Sequence, residues 1–139
     1  MRSYINLVEA ANKGCPIATQ DVDINLKNRQ NAIDGYMYGP ANPDKPGNHW
    51  KNAAKQWKID EKTAKTMTCN VCAAFDVSDK MWSCIESGIQ GDEPNADAMA
   101  TIHKADIGYC NFLHFKCAGT RNCTAWVSGG AIDDKDRTQ

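Results

Sequence analysis

The spacing of the cysteines constrains this chain more than any other feature of its sequence. Six of its seven cysteines fall in one stretch: Cys69, Cys72, Cys84, Cys110, Cys117 and Cys123. The stretch opens with Cys69-Asn70-Val71-Cys72 and closes with Cys123-Thr124-Ala125-Trp126, and Phe75, Trp82, Tyr109, Phe112 and Phe115 lie between. Two thiols separated by two residues are aimed the same way by a short turn. They can therefore hold one metal ion, or two corners of one cluster, without strain. Further thiols set among aromatics point to a metal centre in an apolar cage.

The rest of the composition narrows the setting. At 139 residues the chain is one domain, or one domain with an arm. A net charge of −1 offers no electrostatic footprint for nucleic acid or for an anionic membrane. No apolar run approaches the roughly 20 residues that a membrane span needs. The opening residues, Met1-Arg2-Ser3-Tyr4-Ile5-Asn6-Leu7-Val8-Glu9, lack the long apolar region and cleavage site of a secretory signal, so the expected compartment is the cytosol. In that reducing setting clustered thiols read as metal ligands rather than as a disulfide framework. Apolar residues other than cysteine are sparse, so a bound metal or cluster is expected to complete the fold.

Periodicity predicts a helix over residues 3–12, carrying Tyr4, Leu7, Val8 and Ala11 on one face and ending at Gly14. Cys15, remote from the other thiols, reads as a free cysteine. A second helix is expected from Asp21 to Asp34, with Val22, Leu26 and Ile33 on its apolar face and Gly35 just past its end. The Gly/Pro-rich run from Tyr36 to Gly47 reads as an extended connector pinned by Tyr36, Met37 and Tyr38. A helix from Asn48 or His49 presents Trp50, Ala53, Ala54 and Trp57 along one stripe, expected to pack on the cysteine region. Asp60 caps a further turn. Short helices follow from Ser78 or Asp79, ending at Gly88, and from Ala96 to Lys104. Residues 132–139 are a charged tail. The expected architecture is thus a small, irregular α+β fold stabilised by a metal cluster. Residues 1–47 form a helical and extended arm, and residues 48–139 form a loop-rich cysteine domain.

The later cysteines separate two metal chemistries. A zinc ribbon or knuckle brings a second close pair of thiols or histidines. Here Cys84, Cys110, Cys117 and Cys123 stand singly, and His49, His103 and His114 fall at no ligand spacing with one another. An iron–sulfur cluster accepts ligands from separate loops, and a dry aromatic shell controls how much charge it carries. The spacing therefore favours a cluster, with zinc as the alternative. No acidic pair in an apolar setting, phosphate loop or Ser-His-Asp order is present, so no catalytic residues and no enzyme activity are expected.

The residues Gly108-Tyr109-Cys110-Asn111-Phe112-Leu113-His114-Phe115-Lys116 and Asn122-Cys123-Thr124-Ala125-Trp126 resemble the C-terminal half of high-potential iron–sulfur proteins (HiPIP), and Cys69-x-x-Cys72 followed by Ala73-Ala74-Phe75 resembles their first ligand pair. The resemblance covers roughly residues 67–130. It implies one [4Fe–4S] cluster held by Cys69, Cys72, Cys110 and Cys123, one-electron transfer, and shielding by Phe75, Trp82, Tyr109, Phe112, Phe115 and Trp126. A dry cage around such a cluster argues for a high-potential couple, unless backbone N–H groups of Ala73, Ala74, Gly108, Ala118 and Gly119 offset its charge. The chain departs from that family in a longer gap between Cys72 and Cys110, in two extra cysteines, and in its first 60 or so residues. Cys84 and Cys117 are reserve ligands, buried thiols, or partners in a disulfide formed outside the cell.

A second resemblance spans the whole chain. The segments from Asn25 to Asp34, from Tyr38 to Pro43 and from Cys69 to Trp126 are similar to small proteins of marine bacteriophages, of the kind infecting cyanobacteria and other ocean bacteria. This implies synthesis in the host cytoplasm and, as the alternative function, a virion structural protein. In that role it would decorate the capsid or join the capsid or tail, with protein subunits as partners. The cluster, zinc or disulfides would then serve to stabilise the fold.

Overall fold

A computed structural model describes residues 14–92 and 97–133. The helix expected over residues 3–12 and most of the charged tail lie outside them. The fold is a small mixed α/β arrangement. Among the described residues, six helices surround a three-stranded antiparallel sheet. The helices are α1 (Ile17–Gln20), α2 (Val22–Tyr36), α3 (His49–Trp57), α4 (Glu61–Ala64), α5 (Asp79–Asp92) and α6 (Ala98–Ala105). The strands are β1 (Phe75–Asp76), β2 (Ile107–Cys110) and β3 (Phe115–Ala118), in the spatial order β1-β2-β3.

The sheet divides the interior because side chains alternate across a strand. Registered pairs Phe75–Cys110, Gly108–Cys117 and Cys110–Phe115 put Phe75, Cys110, Phe115 and Cys117 on one face. That face builds a core with Tyr38, Cys69, Cys72 and Cys123. Tyr109 and Ile107 point the other way, into a second core with Met81, Cys84, Ile85 and Ile102. Burying side chains of the size of Phe75, Phe115, Ile85 and Ile102 contributes about 1.5–3 kcal/mol each. Gly108 has no side chain because the Phe75 ring crosses it: a Cβ there would lie 2.5 Å from Phe75 Cζ.

Trp82 and Tyr109, expected around the cluster cysteines, therefore belong to the second core. The alternation of β2 sends Tyr109 away from Cys110, and the Trp82 indole N–H donates to the Ile107 carbonyl at 3.0 Å. Trp50 and Trp57 do not pack on the cysteines either. They form a third cluster with Ala54, Ala64 and Ile59. The helix pair that carries them is set as expected, with the Asp60 carboxylate accepting from the Thr63 N–H at 2.7 Å.

The segment preceding residue 48 is built into the cores. The first turn, α1, packs against α5 at Gly88, where a Cβ would come within 1.7 Å of the Thr19 carbonyl oxygen. This is why α5 continues past Gly88, where the sequence suggested a stop. The glycine makes room for a neighbour and does not end the helix. The Gln20 side-chain amide donates to the Cys84 carbonyl at 2.7 Å, and Cys15 and Cys84 are joined by a disulfide. Cys15 is therefore not a free cysteine, because α1 carries it to α5.

In α2 the expected face is reversed. Val22, Leu26 and Ile33 are 43, 49 and 37 % exposed, whereas Asn25 and Ala32 are buried. The cause lies at the outer edge of β3. Edge strands leave N–H groups unpaired, and such groups need partners when covered. The Lys116 N–H donates to Asn25 Oδ1 at 2.7 Å and the Ala118 N–H to Tyr38 Oη at 2.9 Å. Helix α2 thus turns a polar residue inward to close the sheet. It ends at Met37 in the left-handed region (φ 57°), beyond the expected stop at Gly35. The connector then joins the core: Tyr38 stands edge-on to Phe115 at 4.9 Å between ring centroids, and Gly39 bridges Asn122.

Candidate metal centre

Three separate segments bring cysteines to one pocket. The first is a single 3₁₀ turn over Cys69–Val71, closed by the Cys72 N–H donating to the Cys69 carbonyl at 2.9 Å. It supplies Cys69 and Cys72. The second is the hairpin of β2 and β3, which supplies Cys110 and Cys117 from one face of the sheet. The third is the loop after Asn122, which supplies Cys123. All five are free thiols and line one pocket with Phe75, Phe112 and Trp126. The four cysteines Cys69, Cys72, Cys110 and Cys123 therefore meet, as does Cys117. Cys84 does not: its disulfide to Cys15 holds it in the second core.

Backbone hydrogen bonds fix the segments relative to one another. The Cys69 N–H donates to the Arg121 carbonyl at 2.7 Å and the Asn70 N–H to the Gly119 carbonyl at 3.0 Å. The Ala73 N–H donates to the Val127 carbonyl at 2.9 Å, and the Trp126 indole N–H to the Thr68 carbonyl at 2.9 Å. These bonds tie the Cys69 turn to the Cys123 loop on both sides.

The sulfurs themselves accept backbone N–H bonds. Leu113 N–H lies 3.3 Å from Cys110 Sγ and Val127 N–H lies 3.4 Å from Cys72 Sγ. Phe112 N–H also serves Cys110, and Ala125 N–H serves Cys123. The N–H groups expected in this role are committed elsewhere in three cases: Ala73 to Val127, Ala118 to Tyr38 and Gly119 to Asp106. For Cys110 and Cys123 the donors used instead come from the tight turn that follows the cysteine, whereas Cys72 takes its donor, Val127, from a distant segment. Sequence offers a signal for this, since a turn two or three residues past a cysteine folds an N–H back onto its sulfur.

Burial and mutual repulsion favour the neutral form of Cys110, Cys117 and Cys123 when nothing binds them. Burial, then the charge of Cys69, pushes Cys123 up to about 12. Burial also raises Cys110. Cys117 is raised well above the ordinary thiol value, first by a hydrogen bond with the Cys69 thiol and then by burial. Thiolates packed in an apolar pocket repel, so a positive guest favours ionisation of these three. The donor chemistry suits a thiolate-ligated group, since soft sulfur ligands with N–H bonds to sulfur are what such groups need. The free volume is small, about 20 Å3, room for about one water. A guest of several atoms therefore requires the thiols, first the Cys69–Cys117 contact, to turn outward. Among the described residues, no three histidine, cysteine or carboxylate side chains are placed around a single ion. No protein family, no curated protein and no solved structure matches this chain.

Proposed function

We propose that the protein binds one [4Fe–4S] cluster through Cys69, Cys72, Cys110 and Cys123 and passes single electrons to a partner protein. The observation that carries this reading is the convergence of those four cysteines, from three segments, on one pocket walled by Phe75, Phe112 and Trp126. Bound there, such a cluster supplies a one-electron couple. The chain's own contribution is orientation, exclusion of water and charge compensation. The aromatic walls keep water from the sulfurs. The N–H groups of Phe112, Leu113, Ala125 and Val127 stabilise negative charge on Cys110, Cys123 and Cys72. Cys117 is the reserve ligand, because it lines the same pocket. Protein purified without oxygen is expected to absorb broadly in the visible and to carry about four irons per chain. Colourless, iron-free protein from iron-replete cells overturns the reading.

A second reading has its own observation. The Cys15–Cys84 disulfide belongs to an oxidising environment, such as a particle outside the cell. It favours a virion structural protein in which the bond and the thiol pocket stabilise a small domain. Mass spectrometry of purified particles tests it, and absence of the chain from them removes it.

A further inference from the structure

A second cavity meets the thiol pocket at Cys117, which lines both. An open groove of about 320 Å3 runs between α2 and the outer edge of β3. It is lined by Asn25, Arg29, Tyr38, Lys116 and Arg121, with Cys117 and apolar residues such as Leu26 and Ile107 between them, and no carboxylate of the described residues lines it.

The edge of β3 decides what these residues can offer. Asn25 is 8 % exposed and Tyr38 is 6 % exposed. The Lys116 N–H occupies the Asn25 amide oxygen, and the Ala118 N–H occupies the Tyr38 oxygen. The orientation of the Asn25 amide is therefore set, since a backbone N–H must meet its oxygen. What remains on each side chain is donor capacity, the Asn25 NH2 and the Tyr38 O–H. No described residue accepts from either. Two cations stand beside them. Arg29 makes no ion pair among the described residues. Arg121 lies with Cζ 5.5 Å from the Tyr38 ring centroid, donates from Nη2 to the Ala41 carbonyl at 3.1 Å, and keeps a buried Nε–H without a partner.

We infer that this groove binds a compact oxyanion of the carboxylate or phosphate class, received by the Asn25 amide, the Tyr38 hydroxyl and the guanidinium groups of Arg29 and Arg121. Donors and cations set among apolar residues, with the Asn25 and Tyr38 oxygens already occupied, favour an acceptor-only, negatively charged guest. None of the four proposed donors lines the thiol pocket, although Cys117 lines both cavities.

Titration of the full chain with inorganic phosphate and, separately, with succinate tests it by calorimetry and amide chemical shifts. Saturable binding is expected for one of them, with a dissociation constant of about 1 mM or tighter. The arm that saturates identifies the source class. The largest shifts are expected at Lys116 and Ala118. Arg29→Gln, at a half-buried helix position, is expected to keep the fold and weaken binding by about tenfold. Tyr38→Phe removes one donor and is expected to weaken it further, and Arg29→Gln carries the test if that variant unfolds. No saturable shift with either anion, or equal binding by wild type and Arg29→Gln, overturns the inference.

Discussion

The side-chain amide of Asn122 donates to the carbonyl of Met67, two residues before Cys69. Asn122 is fully buried, its own Oδ1 lies 3.2 Å from His49 Nε2, and its backbone exchanges two hydrogen bonds with Gly39 at 2.7 and 2.9 Å. One residue next to Cys123 thus ties the connector, the approach to the Cys69 turn and the Cys123 loop.

Asn122→Ala is therefore expected to lower stability by about 2–4 kcal/mol, since it leaves the Met67 carbonyl and the His49 ring without their partner and opens a cavity. Denaturant unfolding measures this. A loss below about 0.5 kcal/mol, the range of ordinary surface changes, contradicts it.

The ligand set makes a prediction by difference. Cys110→Ala is expected to lose most of the bound iron and the visible absorbance. Cys117→Ser is expected to retain both, because only the first removes a proposed ligand. Iron and sulfide analysis of the two variants side by side checks this. The opposite pattern transfers the ligand role from Cys110 to Cys117.

Reduction of the Cys15–Cys84 bond should destabilise the protein. The bond closes a sequence separation of 69 residues, and chain-entropy arguments assign such a loop about 4 kcal/mol as an upper value. Thermal unfolding of wild type and of Cys84→Ser, with and without a thiol reductant, checks it. Wild type is expected to fall with reductant, and the variant to start lower and be insensitive to it.

Alkaline pH should destabilise the metal-free protein. Burial raises Cys123 from 9.0 to about 12 and Tyr109 from 10.0 to about 12. A raised value means that the folded chain keeps a proton the unfolded chain has released. Stability from these groups is complete below the unfolded value near 9 and is lost as pH climbs towards 12. Urea midpoints measured across that window are expected to fall. A flat profile would show that the thiols and Tyr109 are more hydrated than the pocket implies.

Local patterns in the chain carried much of this structure. The stripe of Trp50, Ala53 and Ala54 is a buried helix face, and Asp60 caps the next turn. These features depend on neighbours a few residues away, so spacing alone reveals them. Cys69, Cys72, Cys110 and Cys123, singled out by their flanking residues, line one pocket, where Cys117 joins them.

Features that depend on distant neighbours were not legible in this way. Helix α2 shows Val22 and Leu26 to solvent and buries Asn25 because an edge strand more than eighty residues away needs an acceptor. Gly88 stays inside a helix because another backbone lies against it. Cys15 and Cys84 pair because α1 docks on α5, and Cys117 joins the thiol pocket while Tyr109 leaves it because of the register of β2 on β3. Residue type and short-range period specify which groups are available. Which of them meet is set by packing and by the demand that every buried N–H find an oxygen, and both act between segments far apart in the chain.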